Sequence, residues 1–285
     1  MKKLLFAGLF AVIPSTHSKA ETAPCECSRC IAVYGDTRTG NAVHKKIAGL
    51  IEAAHPRVVF HTGDLVPKGN DADGWADFKS ITKSLRASAS FYAVLGNHEA
   101  GGESVFTSLF SNPGNGRWYS EDVGGIRFIM LDYLSPLGKE DLQYKWLDGE
   151  LKAPAGGNKF TVVIVHKPLL STGYHGHEKW ESAGDLGKLF RERGVALVIA
   201  GHDHDYERLE KDGLVQLVTG GGGGAGLRGQ RYKSPYSKIF AKVNHYCLIS
   251  VCGEVLKVEA FDLDNKLIDT FEIRSKQSAV PKARD

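Results

Sequence analysis

What the chain lacks narrows its reading first. After residue 20 there is no apolar run long enough to cross a membrane. There is also no charge surplus. Lys and Arg number 36 against 33 Asp and Glu, and residues 1–20 hold three of those lysines (Lys2, Lys3, Lys19) and no acid, which leaves 33 of each sign beyond them. Composition therefore gives no support for a nucleic-acid or anionic-membrane partner. Cysteine is scarce, at five residues, and an odd count leaves at least one thiol free or paired between chains. Cys25, Cys27 and Cys30 cluster, but no fourth metal-type ligand stands near them, so disulfides suit the group better than a metal. Internal repeats and dividing linkers are also missing, which argues for one domain.

The N-terminus is different. Lys2 and Lys3 precede an apolar stretch over residues 4–13, and Ser18-Lys19-Ala20 offers small residues for cleavage. That order reads as a secretory signal peptide over 1–20, and predicts a secreted or periplasmic protein in which disulfides persist. Residues 21–30 form a cysteine-containing lead-in, 31–273 a single catalytic domain, and 274–285 a polar tail.

Between 31 and 200, short apolar runs alternate with amphipathic stretches. Strands are predicted at 31–34, 58–61, 91–95, 126–131, 160–165 and 195–200, and helices at 41–54, 74–86, 139–151 and 181–193. Alternation of this kind makes an α/β fold with largely parallel strands. After residue 213 strands follow one another without helices, at 214–218, 246–251, 255–261 and 267–273, with hairpin turns at Gly253-Glu254 and Asp264-Asn265. Gly220 to Gly224 are five glycines in a row, read either as a flexible loop or as backbone passing close to a site.

The chemistry sits where these strands end. Asp36, Asp64, Asn97, His166, His202 and His204 each follow a predicted strand, the place where open α/β sheets bind ligands. Any one of them is unremarkable, as a turn aspartate or a packed core histidine. Together they are an oxygen and imidazole set suited to iron, zinc or manganese. Six donors exceed one tetrahedral site, so two ions are expected, with Asp64 as a bridge. Two ions ~3.5–4 Å apart clamp the attacking and leaving oxygens of phosphate ester hydrolysis.

Asp36, Gly63-Asp64, Gly96-Asn97-His98-Glu99, His166 and Gly201-His202-Asp203-His204 resemble the five ordered motifs of the calcineurin-like metallophosphoesterase superfamily. Gly201 to Arg208 is most like its purple acid phosphatase branch. The resemblance implies two packed mixed β-sheets flanked by helices, a four-layer αββα sandwich. It implies one ion held by Asp36, Asp64 and His204, and a second held by Asp64, Asn97, His166 and His202. It gives His98 a substrate-binding and general-acid role. The implied reaction is direct attack by metal-bound hydroxide on a small-molecule or peptide phosphate ester, most readily a monoester. A phosphodiesterase, or a degenerate protein that binds metal or phosphate without turnover, are the alternatives.

Two departures bear on the first ion. Many members of the superfamily have histidine where this chain has Arg38, and purple acid phosphatases have a tyrosine ligand where it has Pro67. The first ion is thus expected to be weakly held or absent, and the purple colour with it. Arg38 is assigned to phosphate binding and catalysis because its fork fits phosphate oxygens; the competing role is a salt bridge to Glu99 or Asp203. His175 and His177 lie in a loop that borders the pocket in the family, and His175 is a candidate substrate contact. His61 and His245 are assigned to packing, and Asp132 is left out of the site.

Overall fold

The computed structural model describes residues 31–176 and 180–275. The signal peptide, the cysteine lead-in, His177 and residues 276–285 lie outside them. The fold is the expected one. A first sheet has six strands and a second has seven.

In the first sheet β1 (Ile31–Tyr34), β2 (Val58–His61) and β3 (Ser90–Ala93) are parallel. On the far side of β1, the strands β11 (His245–Cys252), β12 (Val255–Asp262) and β13 (Leu267–Arg274) continue the sheet antiparallel. The second sheet has a parallel centre of β5 (Ile126–Leu131), β6 (Phe160–Val165), β7 (Leu197–Ala200) and β9 (Leu214–Thr219). Antiparallel β4 (Tyr119–Val123) flanks it on one side, and β8 (Tyr206–Lys211) and β10 (Ser237–Ala241) on the other.

The sheets share one core. Val33, Phe60 and Ile249 of the first meet Phe128, Ile164 and Leu217 of the second. The outer face of the first sheet buries Ile47 and Ile51 of α1 (Asn41–Ala53). The outer face of the second buries Leu147 of α5 (Leu142–Lys152) and Leu186 and Phe190 of α6 (Ala183–Glu192). Strands buried on both faces read as continuous apolar runs, which is why β2, β6 and β7 stood out in the sequence.

Some elements differ from expectation. The helix predicted over 74–86 is two, α2 (Ala72–Ile81) and α3 (Lys83–Ser88). They meet at Thr82, whose hydroxyl donates back to the Phe78 carbonyl at 2.7 Å, a local bond that competes with the helix ladder. Another short helix, α4 (Glu103–Leu109), and the strands β4, β8 and β10 had no clear pattern. β13 runs one residue past its predicted end, and Ser275 is buried, its N–H bonded to the Glu254 carbonyl. Cys247 is a free, buried thiol, pushed up to about 12 by burial. Cys252 is disulfide-bonded. No helix among the described residues is long and apolar enough to cross a membrane.

Candidate metal centre

β1, β2, β3, β6 and β7 all finish at one end of the sandwich, and the loops that follow them carry the six candidate ligands. Asp36, Asp64 and Asn97 leave the first sheet; His166, His202 and His204 leave the second. The turns are tight. Asp36, Asp64 and His202 adopt left-handed backbone at φ of 58°, 56° and 69°, a region uncommon for residues other than glycine that costs about 1–3 kcal/mol each. Close packing enforces the turns. A Cβ on Gly201 would overlap Asp36 Oδ2, while the N–H of His202 donates to both Asp36 oxygens at 3.1 Å.

The five glycines are part of this packing, not a loose loop. The Gly222 N–H bonds the Gly35 carbonyl at 2.8 Å, and Gly224 N–H bonds the Asp36 carbonyl. A Cβ on Gly222 would overlap the Gly35 oxygen. The run is a strap laid across the loop that carries Asp36.

Asp36, Asp64 and His166 bring ligand atoms within 4.8 Å of one another. The arrangement of protons then shows what each half can hold. His166 donates Nδ1–H to the Thr62 carbonyl at 2.8 Å, and burial holds its pKa below the ordinary imidazole range, so its Nε2 keeps a lone pair. That lone pair faces Asn97 Oδ1 at 3.1 Å and Asp64 Oδ1 at 3.4 Å. His202 Nδ1 also lies 3.0 Å from Asn97 Oδ1. Converging lone pairs of this kind fit a cation, and neutral imidazole with amide and carboxylate oxygens fits a first-row divalent metal.

The other half differs. His204 gives Nδ1–H to the Gly226 carbonyl at 3.1 Å, and burial lowers it to about 4. Its Nε2 lone pair lies 3.7 Å from Asp36 Oδ1 but meets a donor, Arg38 Nη2, at 3.4 Å. Arg38 Nε is 3.4 Å from Asp64 Oδ2. The expected partners Glu99 and Asp203 are not the ones Arg38 has. Burial, then the charge of Asp64, pushes Asp36 well above the ordinary carboxylate range. Burial also acts to raise Asp64, but His166, the His98 N–H, His98 and Arg38 together bring it below that range.

Around the ligands stand residues whose work the sequence did not show. Glu99 is buried, and its two oxygens accept from four backbone N–H groups: Asp64 (2.9 Å), Leu65 (2.9 Å), Val66 (3.2 Å) and Gly96 (2.7 Å). It ties the Asp64 and Asn97 loops together. Its place in Gly96-Asn97-His98-Glu99 was the available signal. His61, assigned to packing, has a second task. Its Nδ1 accepts the Gly63 N–H at 3.2 Å and its Nε2 bonds the Thr37 hydroxyl at 3.2 Å, one residue from Asp64 and one from Asp36. His245 is structural, bonded to Val243 and Thr219. Asp132 is spent on Arg117 and Ser135.

His98 donates Nδ1–H to the Pro67 carbonyl at 2.7 Å; Nε2 lies 3.9 Å from Asp64 Oδ2, with the side chain 27% exposed. Pro67 thus has no ligand side chain, but its carbonyl orients His98. His175 packs beside His202 with ring centroids 4.6 Å apart and ring planes tilted by 40°. Two hollows flank the cluster. One of ≈ 280 Å³ is lined by Arg38, Pro67 and Asp71, and one of ≈ 120 Å³ by Lys167, His175 and His202.

Against this geometry the family can be set. The model of the calcineurin-like phosphoesterase family matches residues 31–206. The chain belongs to that family. Among curated proteins, this calcineurin-like phosphoesterase is 28% identical over 203 residues to purple acid phosphatase 21 of Arabidopsis thaliana, 62% of this chain and 46% of that protein. Purple acid phosphatase 18 of the same plant is 27% identical over 248 residues, 78% of this chain and 55% of that one. The chain thus spans about half the length of these relatives. Among solved structures, purple acid phosphatase from yellow lupin (Lupinus luteus) seeds superposes with a TM-score of 0.77 at 19% identity, covering 87% of this chain and 54% of its own.

Proposed function

We propose that this calcineurin-like phosphoesterase is an exported hydrolase of phosphomonoesters. One observation carries the reading: His166, its Nδ1–H given to the Thr62 carbonyl, turns Nε2 toward Asn97 Oδ1 at 3.1 Å and Asp64 Oδ1 at 3.4 Å, so that one nitrogen and two oxygens meet at one point. Asp64, Asn97, His166 and His202 would hold a divalent ion. When bound, it stabilises charge on phosphoryl oxygens and lowers the pKa of nearby water. Export is supported by the charged and apolar pattern of residues 1–20 and by the disulfide at Cys252.

The chain's own groups do the rest. Arg38 Nε and His98 Nε2 both approach Asp64 Oδ2, at 3.4 and 3.9 Å, and are suited to bind a phosphate dianion. His175, beside His202, is a further wall contact. With Nδ1–H given to the Pro67 carbonyl, His98 carries a proton on Nε2 only as the imidazolium, and that proton faces the Asp64 carboxylate 3.9 Å away. As the P–O bond breaks, that proton passes to the leaving alkoxide.

The test separates this role from mere packing. His98→Ala is expected to lower kcat on an alkyl phosphate by on the order of 10²-fold. The loss should be far smaller on 4-nitrophenyl phosphate, whose leaving group needs no proton. Equal losses on both esters would remove the acid role. Faster turnover of a diester than of its monoester would move the assignment to a phosphodiesterase. Stoichiometric ion with no turnover of either would favour the binding-protein reading, which the position of Arg38 supports.

A further inference from the structure

The two halves of the centre are not equivalent, and the difference lies in one side chain. At His166 the metal-facing lone pair meets only other acceptors. At His204 the corresponding lone pair already faces an N–H donor, Arg38 Nη2, at 3.4 Å. The same guanidinium lies 3.4 Å from Asp64 Oδ2, the second oxygen of the proposed bridging carboxylate. Two of the three groups assigned to the first ion are therefore already engaged by one fixed positive charge. We infer that the Arg38 guanidinium takes the place of the first metal ion, so that the centre holds a single divalent ion, between Asp64, Asn97, His166 and His202. The inference rests on the hydrolase reading and deepens it.

Three further facts converge on it. Arg38 is not a surface residue that swings freely: its side chain is 16% exposed, and its backbone N–H is bonded to the Asp64 carbonyl at 3.2 Å. A guanidinium cannot lose its proton to make room for a metal, as a lysine or histidine can. Pro67, at the position where purple acid phosphatases supply a tyrosine oxygen, offers no side-chain donor to compensate. A guanidinium also does work an ion would do. It neutralises the Asp64 oxygen remote from His166, and its planar fork keeps three further N–H groups able to reach phosphate oxygens. Unlike an ion, it cannot activate water, so the nucleophile must come from the side of Asn97 and His166.

The experiment counts ions. The full chain is stripped with a chelator, reloaded with Zn²⁺ or Mn²⁺, and measured by native mass spectrometry and elemental analysis. One ion per chain is expected for the wild type and two for Arg38→His, which replaces the charge with a neutral donor. Two ions in the wild type, or one in a folded Arg38→His, would overturn the inference. Anomalous diffraction from wild-type crystals gives an independent reading should the variant fail to fold. A single peak beside Asn97 supports the inference, and a second peak beside His204 Nε2 overturns it. No bound ion in either protein would instead overturn the metal-dependent hydrolase reading itself.

Discussion

Glu99→Ala is expected to lose at least about 4 kcal/mol of stability, and to be found largely unfolded or insoluble. The side chain is buried and serves four backbone N–H groups in two loops. Each donor left without a partner costs roughly 1–3 kcal/mol, so the sum exceeds the range of most single substitutions. Glu99→Gln should not rescue it. One amide nitrogen would face two of the four donors. The two oxygens divide the work, one taking Asp64 and Gly96 and the other Leu65 and Val66, so either orientation of the amide sets N–H against N–H. Denaturant unfolding monitored by tryptophan fluorescence measures the loss. A midpoint within experimental error of wild type would show that the four bonds are replaced by water at little cost.

Asp64→Asn should instead leave the fold intact and abolish turnover. Asparagine accepts the left-handed backbone that Asp64 occupies at φ 56°, and its side-chain oxygen can still take the His98 N–H that now sits 3.0 Å from Oδ1. What disappears is the negative charge that faces His166, Arg38 and His98 together. Loss of several kcal/mol of charge stabilisation corresponds to about 10³-fold or more in kcat, and the affinity for Zn²⁺ should fall with it. Steady-state kinetics and isothermal titration with the metal check both arms. Retained turnover at wild-type metal affinity would remove Asp64 from the centre.

The sequence showed the strands and the candidate ligands at their ends for a physical reason. A strand buried on both faces is an unbroken apolar run, so the polar residue that ends it is conspicuous. β8 was hidden for the opposite reason. Tyr-Glu-Arg-Leu-Glu-Lys looks like a solvated stretch, but Glu207 is buried there, where it accepts the Thr172 N–H at 2.8 Å and the Thr172 hydroxyl. The partners of Glu99 were hidden by distance along the chain, since three of the four lie 33 to 35 residues away. Arg38 was legible as a departure from the family pattern, but not its place against both Asp64 and His204, which depends on how the two sheets meet.

That meeting has a thermodynamic consequence. The proposed ligands Asp64 and Asn97 belong to one sheet, and His166 and His202 to the other. An ion among them would be a rivet between two halves that also adhere through apolar side chains and through hydrogen bonds such as His166 to Thr62 and His202 to Asp36. Free metal at 100 times its dissociation constant would then add about 2.7 kcal/mol to the folded state, or roughly 5–10 °C in Tm for a chain of this size. Melting curves recorded across a metal titration would double as a binding isotherm, and a chelator would loosen the sandwich at its seam without touching a single hydrophobic contact.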